Sequence, residues 1–280
     1  MTRTNLLKTA HPLKGMLLSL LLAMLCTAIT AAQVSRTPGP AETALAGSVT
    51  ARADNIWHAL ANPALLAGER PLAAAFLAPS AIGIEGYHEG MILALVPAAT
   101  GLRMGLAVGS LGAGAYRETG AALMAAMDAH GDISIGAALS YHAITIDGYG
   151  TAHALALDLG ALMNLTAGIR FGAAIHNPFR AQIAGTDLPQ QVAFGFAFDI
   201  APETTLSLDA RHELERAACV SMGLSTELFP GLVLRAGIAG APAIIALGAA
   251  YEADDLLFDC GSAYIAPLGF RHAIGAGLRW

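Results

Sequence analysis

From Leu268 to Trp280 the chain reads LGFRHAIGAGLRW, and its residues separate by parity. Leu268, Phe270, His272, Ile274, Ala276, Leu278 and Trp280 fall on one side, and Gly269, Arg271, Ala273, Gly275, Gly277 and Arg279 on the other. A period of two belongs to an extended strand, because successive Cβ atoms point to opposite faces of a pleated backbone. One side is oily; the other is small or cationic. The same sorting returns in Asp132 to Tyr141, where Ile133, Ile135, Ala137, Leu139 and Tyr141 oppose Ser134, Gly136, Ala138 and Ser140. In Leu206 to Glu213, Leu206, Leu208 and Ala210 oppose Ser207, Asp209, Arg211 and Glu213. Ions keep to one side of each strand. A sheet so built needs lipid against its apolar face and an enclosed lumen against its small and ionic face, which is the arrangement of a transmembrane barrel.

Alternation of this kind, broken by turn residues, recurs about fourteen times from Leu72 onward. The first strand is expected over Leu72 to Glu85. Another runs Ala113 to Ala125 before a turn at Ala126 to Gly131, a further one covers Asn164 to Ile175, and the stretch ending at Trp280 closes the barrel. With 55% apolar residues and a mean hydropathy of +0.56 the chain is oilier than a soluble sandwich, whose charged face would meet water. Beyond Gln33, every apolar run is interrupted by Gly, Pro or charge well before the ~20 residues that a spanning helix needs. The 31 glycines fit tight turns and close strand approach. The fold class expected is therefore all-β: a transmembrane antiparallel β-barrel of about fourteen strands with both ends on the periplasmic side. The longest connection, His176 to Pro189, then falls outside the cell, and Ala201-Pro202 and Phe229-Pro230 form tight periplasmic turns.

The N-terminus has the three-part layout of a secretory signal peptide. Arg3, Lys8 and Lys14 precede the apolar run Met16 to Ile29, and Thr30, Ala31 and Ala32 supply small residues before Gln33. Residues 1–32 read as this signal, 33–70 as a periplasmic lead followed by a short N-terminal segment, and 71–280 as the barrel. Val34 to Thr50, polar and patternless, reads as a flexible lead. Asn62-Pro63 reads as a cap and first position of a short helix through Ala67. Cys26 leaves with the signal, and strand parity turns Cys219 and Cys260 to opposite faces, so both are expected as free thiols.

Two stretches carry a resemblance. Ala53 through Asn62, Pro63 and Ala64 to Ala67 resembles the signature near the start of FadL-type long-chain fatty acid transporters and of the related PorV-like outer-membrane proteins, in which this piece folds into the barrel mouth as a hatch. The ending, with Gly275, Leu278 and Trp280 in the places of a Gly and two apolar positions, resembles the C-terminal assembly signal of Gram-negative outer-membrane proteins, although Ala273 stands where a polar residue is usual. The resemblance implies an outer-membrane location, contact with outer-membrane lipid and with the barrel assembly machinery, and a non-enzymatic role. The compact length and short connections look more like the PorV branch, which implies a binding or shuttle barrel for secreted proteins in type IX export or envelope function. The alternative is a passive channel for hydrophobic small molecules such as long-chain fatty acids.

Chemistry is otherwise sparse. A net charge of −6 argues against a nucleic-acid surface. Ser140 and His142 lie two apart on one strand face with no third partner for acyl transfer, Asn177 included. His212-Glu213 lacks the second His of a zinc-protease helix, so no catalytic, metal or cofactor site is assigned. Inward-facing ions are expected at Asp158, Arg170, Asp209, Arg211, Glu213, Glu227, Arg235, Asp259, Arg271 and Arg279. Arg170, Asp209, Arg211, Arg235, Arg271 and Arg279 are the candidates for touching a ligand headgroup or the lumenal segment, against the plainer reading that they pair with one another. The many Ala and Gly on inward positions leave either a plugged interior or a cavity tolerant of apolar ligands.

Overall fold

The computed structural model describes residues 38–69, 71–78, 86–99, 101–266 and 268–280. The proposed signal peptide lies outside them. Fourteen antiparallel strands close into one barrel. In chain order they are β1 (Leu72–Leu77), β2 (His88–Ala99), β3 (Leu102–Ala113), β4 (Tyr116–His130), β5 (Ile133–Ile146), β6 (Gly150–Thr166) and β7 (Ile169–His176), then β10 (Gln191–Ala201), β11 (Thr204–Glu213), β12 (Cys219–Phe229), β13 (Leu232–Ala239), β14 (Ile244–Ala253), β15 (Leu256–Ile265) and β16 (Gly269–Arg279). The small hairpin β8 (Gln182–Ile183) and β9 (Thr186–Asp187) lies within the connection from β7 to β10. Closure comes from β16 pairing with β1, Leu72 opposite Arg279 and Leu77 opposite Ile274.

The parity read from sequence is the parity of the wall. Leu106, Leu123, Leu139, Leu155, Phe194, Val220, Ile245, Leu247, Phe270 and Ile274 all stand exposed on the outer surface, while their chain neighbours turn inward. Exposed apolar side chains from every part of the wall far exceed the few hundred Å² of continuous apolar patch that a soluble monomer tolerates, so the outer face is a lipid face. No helix among the described residues is long and apolar enough to cross a membrane; the strands do the crossing. Cys260 is exposed on the outer face and Cys219 is buried on the inner one, both as free thiols.

Four boundaries differ from the sequence reading. The turn expected at Ala126 to Gly131 shrinks to Gly131 and Asp132, because β4 continues to His130 through a register shift at Asp128 and Gly131 takes φ +56°. Asp128-Ala129-His130 carries no large apolar residue, which hid the strand from a hydropathy pattern. The break between β6 and β7 falls at Ala167 and Gly168 rather than before Asn164, so Leu165 belongs to β6, still on the lipid face. β1 ends at Leu77, and 79–85, the rest of that expected strand, lies outside the described residues. Finally, Pro38 to Thr50 is not a flexible lead: from Gly39 nearly every residue is buried inside the barrel.

That segment runs through a short helix α1 (Pro40–Ala44) and two 3-10 turns, Ile56–Leu60 and Pro63–Gly68, before joining β1. Leu45, Ile56, Trp57, Leu65 and Leu66 are almost fully buried there, each stabilising the packed state by about 1.5–3 kcal/mol relative to exposure. Trp57 meets Phe76 of β1 edge to face at 4.9 Å between ring centres. The wall admits the segment because its inner face is glycine where they touch. A Cβ at Gly136 would sit 2.5 Å from the backbone of Pro63 and Ala64, and one at Gly160, Gly172, Gly237, Gly248 or Gly261 would overlap Asn62, Thr50, Leu45, Ala44 or Pro40. Several of these glycines face one another on adjacent strands, Gly136 with Gly160, Gly172 with Gly195, Gly223 with Gly237 and Gly248 with Gly261. The belt lets backbone lie directly on backbone.

Candidate functional site

The lumen is the candidate site, and the N-terminal segment divides it. At the end of the barrel where the segment joins β1 and β16 terminates, polar groups fasten the segment to the wall. Asn62 caps its 3-10 turn by accepting from the Ala64 N–H at 3.1 Å, with Pro63 at the first position, and its amide donates to the carbonyls of Thr50 at 2.8 Å and Ala161 at 3.0 Å. Asn55 accepts from the Trp57 N–H and donates to Asp259 at 2.8 Å, while Asp259 also holds Arg235 at 2.8 Å. Arg52 pairs with Asp54 and donates to Ser225 Oγ and the Thr205 carbonyl. Burial works against ionisation of Asp54, but the adjoining Arg52 and His58 hold its carboxyl well below the usual range. Glu69, at the end of the segment, differs: burial pushes its carboxyl up to about 7 against the pull of Arg279, and Asp54 adds to the rise.

The inward ions expected from parity sort into three groups. Arg235 with Asp259 and Arg271 with Glu89 are buried ion pairs, at 2.8 and 2.7 Å. Arg271 also donates to the Pro38 carbonyl at 3.0 Å and to Thr43 Oγ1. Arg170 with Asp199, and Arg279 with Glu252, lie at the rim in partial contact with solvent. Asp209 makes no direct ion pair among the described residues, although Arg211 lies near enough to act on its charge; its carboxylate accepts from the backbone N–H groups of Val49 at 2.9 Å and Thr50 at 2.8 Å, fixing the segment in a bend. Arg211 reaches the Ala46 carbonyl at 3.4 Å. Of the C-terminal residues, Gly275 faces Pro40 and Phe76, Leu278 is buried between Ala73 and Leu256, and Trp280 is exposed at the barrel's end.

Sequence reasoning missed Glu89, Asn55 and Arg52. Glu89 meets Arg271 only because closure brings β16 next to the start of the barrel, and the two asparagines look alike until the segment is placed inside. The glycine belt did leave a signal: a glycine at mid-strand in RFGAAI, AFGFAF, SMGLST, ALGAAY and DCGSAY.

Toward the other end, two adjoining cavities of about 170 and 100 Å³ open above α1, both lined by Pro38, Glu42, Gly47 and Arg211. His176 and Gln191 give the larger a polar wall, and Ile244, Ala263 and Ile265 give the smaller an apolar one. The connection after β7 folds over the adjacent wall, with Ile183 and Leu188 packed on Ala156 beside Ile144 and Ala154. Asn177 holds it there: its N–H donates to Asp158 at 3.0 Å and its amide to the Leu188 carbonyl at 2.9 Å, and the preceding His176 bonds the Ala61 carbonyl at 3.0 Å. Ser140 and His142 are buried on this wall, and neither His142 nitrogen has a hydrogen-bond partner among the described residues, Ser140 included, so the two are not joined as nucleophile and base.

A closed fourteen-strand barrel with a lipid face and a segment of its own chain in the lumen is a transmembrane β-barrel of the FadL-like fold. Three of the solved structures that match illustrate it. The toluene transporter TbuX of Ralstonia pickettii superposes with a TM-score of 0.67 at 12% identity, covering 86% of this chain and 98% of that one. A Pseudomonas aeruginosa FadL homologue gives 0.62 at 10% identity over 89% and 99%. The Pseudomonas putida toluene transporter TodX gives 0.63 at 12% identity over 85% and 96%. No protein-family model matches the sequence, and no curated protein matches it.

Proposed function

We propose that the protein is a passive, non-enzymatic outer-membrane channel for hydrophobic small molecules, with residues 38–69 as its hatch. The observation that carries this reading is the combination of the fold, shared with transporters of toluene, and an outer chamber with one apolar wall above the lumenal segment. The cavities lie on one side of the segment, so passage requires part of it to move. In this reading Asn62, Pro63 and Ala64 pin the hatch to the wall, and Gly275, Leu278 and Trp280 serve the barrel assembly machinery. The test is uptake of radiolabelled toluene and of a long-chain fatty acid into vesicles with a lipopolysaccharide leaflet, which hydrocarbons cross poorly unaided. Refolded protein speeds uptake of at least one; rates equal to those of empty vesicles sink the proposal.

The export reading ranks second. The compact chain and short connections favour it, and the short closures at Ala266 and Pro230 agree with them. Its test is co-purification of a secreted protein with the barrel from its native envelope under conditions where an unrelated barrel of similar size recovers none.

A further inference from the structure

Arginines in this lumen are committed. Arg52, Arg170, Arg235, Arg271 and Arg279 each meet a carboxylate, and Arg103 donates to the Glu69 carbonyl at 3.2 Å. Arg211 is the exception. Its guanidinium reaches only the Ala46 carbonyl at 3.4 Å and the Cys219 sulfur at 3.8 Å, and its Nε is buried with no partner. No carboxylate among the described residues lies within ion-pair distance of it. A guanidinium carries five N–H donors in a planar fork, and leaving them unused in a half-buried position is costly unless something else accepts them. Arg211 stands at the junction of the two outer cavities and lines both.

We infer that this chamber binds a small organic monocarboxylate, with the carboxylate on Arg211 and the hydrocarbon part against Ile244, Ala263 and Ile265. The inference rests on the conduit reading for how a ligand arrives, and it narrows that reading from hydrocarbons in general to acids. Size sets the class. Cavities of about 170 and 100 Å³ bracket the roughly 150 Å³ that accommodates benzene in a protein interior, so an aromatic or short-chain acid fits and a long acyl chain does not. Charge sets it too. His176 is engaged with Asp158 and the Ala61 carbonyl, Arg271 with Glu89, Thr43 and Pro38, and Asp209, close enough for Arg211 to act on its charge, is held by the Val49 and Thr50 N–H groups, which leaves Arg211 and Glu42 as the charged groups facing the ligand among the described residues. Glu42 lines the same cavities and makes no ion pair with Arg211, and its field opposes a second negative charge and restricts the ligand to a monoanion.

Equilibrium dialysis of the folded barrel in detergent micelles tests this with benzoate and with benzamide, which has nearly the same shape and no charge. Benzoate binds saturably and benzamide about tenfold or more weaker, the margin of a charge-assisted bidentate contact. Arg211→Gln removes that margin without changing benzamide binding, Arg211→Lys keeps part of it, and Glu42→Gln tightens benzoate. Heat-dependent gel mobility verifies that each variant has folded. Absent or equal binding of the two probes overturns the site, as does benzoate binding indifferent to Arg211→Gln. Weaker benzoate binding in Glu42→Gln, or phenylalanine binding more tightly than benzoate, overturns the ligand class. Toluene uptake measured in parallel separates the readings: uptake without benzoate binding removes the acid site and keeps the conduit, while benzoate binding without uptake of any probe does the reverse.

Discussion

Single glycines decide how closely the lumenal segment can approach the wall. At Gly160 the side-chain oxygen of Asn62 occupies the space where a Cβ would go, and at Gly136 the backbone of Pro63 and Ala64 does so. Gly160→Ala must displace the hydrogen-bonded Asn62, so it costs about 1–3 kcal/mol, the range for overpacking a fitted interior. Gly68 has nothing within 4 Å of its missing Cβ, and Gly68→Ala stays within about 0.5 kcal/mol of the parent. Urea unfolding of the two variants in lipid measures the contrast; equal stabilities would mean that the segment is not seated against the wall. The inward parity of these glycines was legible in the sequence. That they form a seat was not, because a glycine left small for a neighbour looks the same as one left small for an open lumen.

At the scale of the element, the N-terminal segment is held by groups far away in the chain. Asp209 captures the N–H groups of Val49 and Thr50, and Asp259 takes the amide of Asn55. The local part of this was readable: Asn62-Pro63 announces a capped turn, and the cap forms as expected. The non-local part was not, and residues 38–50, which carry no period of their own, read as a free lead when they are among the most enclosed in the protein. Glu69 makes the docking of this segment depend on pH. Its carboxyl is raised in the docked state from the usual 4.5 to about 7, so the docked form binds more protons across that window. The Glu69 contribution to docking is therefore fully present below about pH 4.5 and is lost as pH rises through 7, by about 3 kcal/mol at most. Trp57, buried in the segment, reports this by fluorescence once Trp280→Phe has removed the second tryptophan. Glu69→Gln flattens the profile, and an unchanged slope in that variant assigns the dependence to another group.

For the molecule as a whole, a closed wall and a packed interior make motion of the segment the requirement for passage in the proposed conduit. Ala46 of the segment packs in one small cluster with Ala246 and Ala263 of the wall. Ala46→Cys with Ala246→Cys, in a background of Cys219→Ser and Cys260→Ser, gives a pin that oxidation closes. Uptake falls on oxidation and returns on reduction if this part of the segment must leave its seat; uptake indifferent to the pin places the route elsewhere.

The sequence by itself determined the barrel: strands, their approximate number, which face meets lipid and which residues look inward, since a two-residue period is written locally along each strand. Only the tertiary structure decided what the inward residues face. Closure of β16 on β1 sets Arg271 against Glu89, brings Asp209 to the backbone of residues 49 and 50, and leaves Arg211 at an open chamber. Such pairings depend on the circumference and on a segment entering from outside the repeat, and neither is encoded in any one strand.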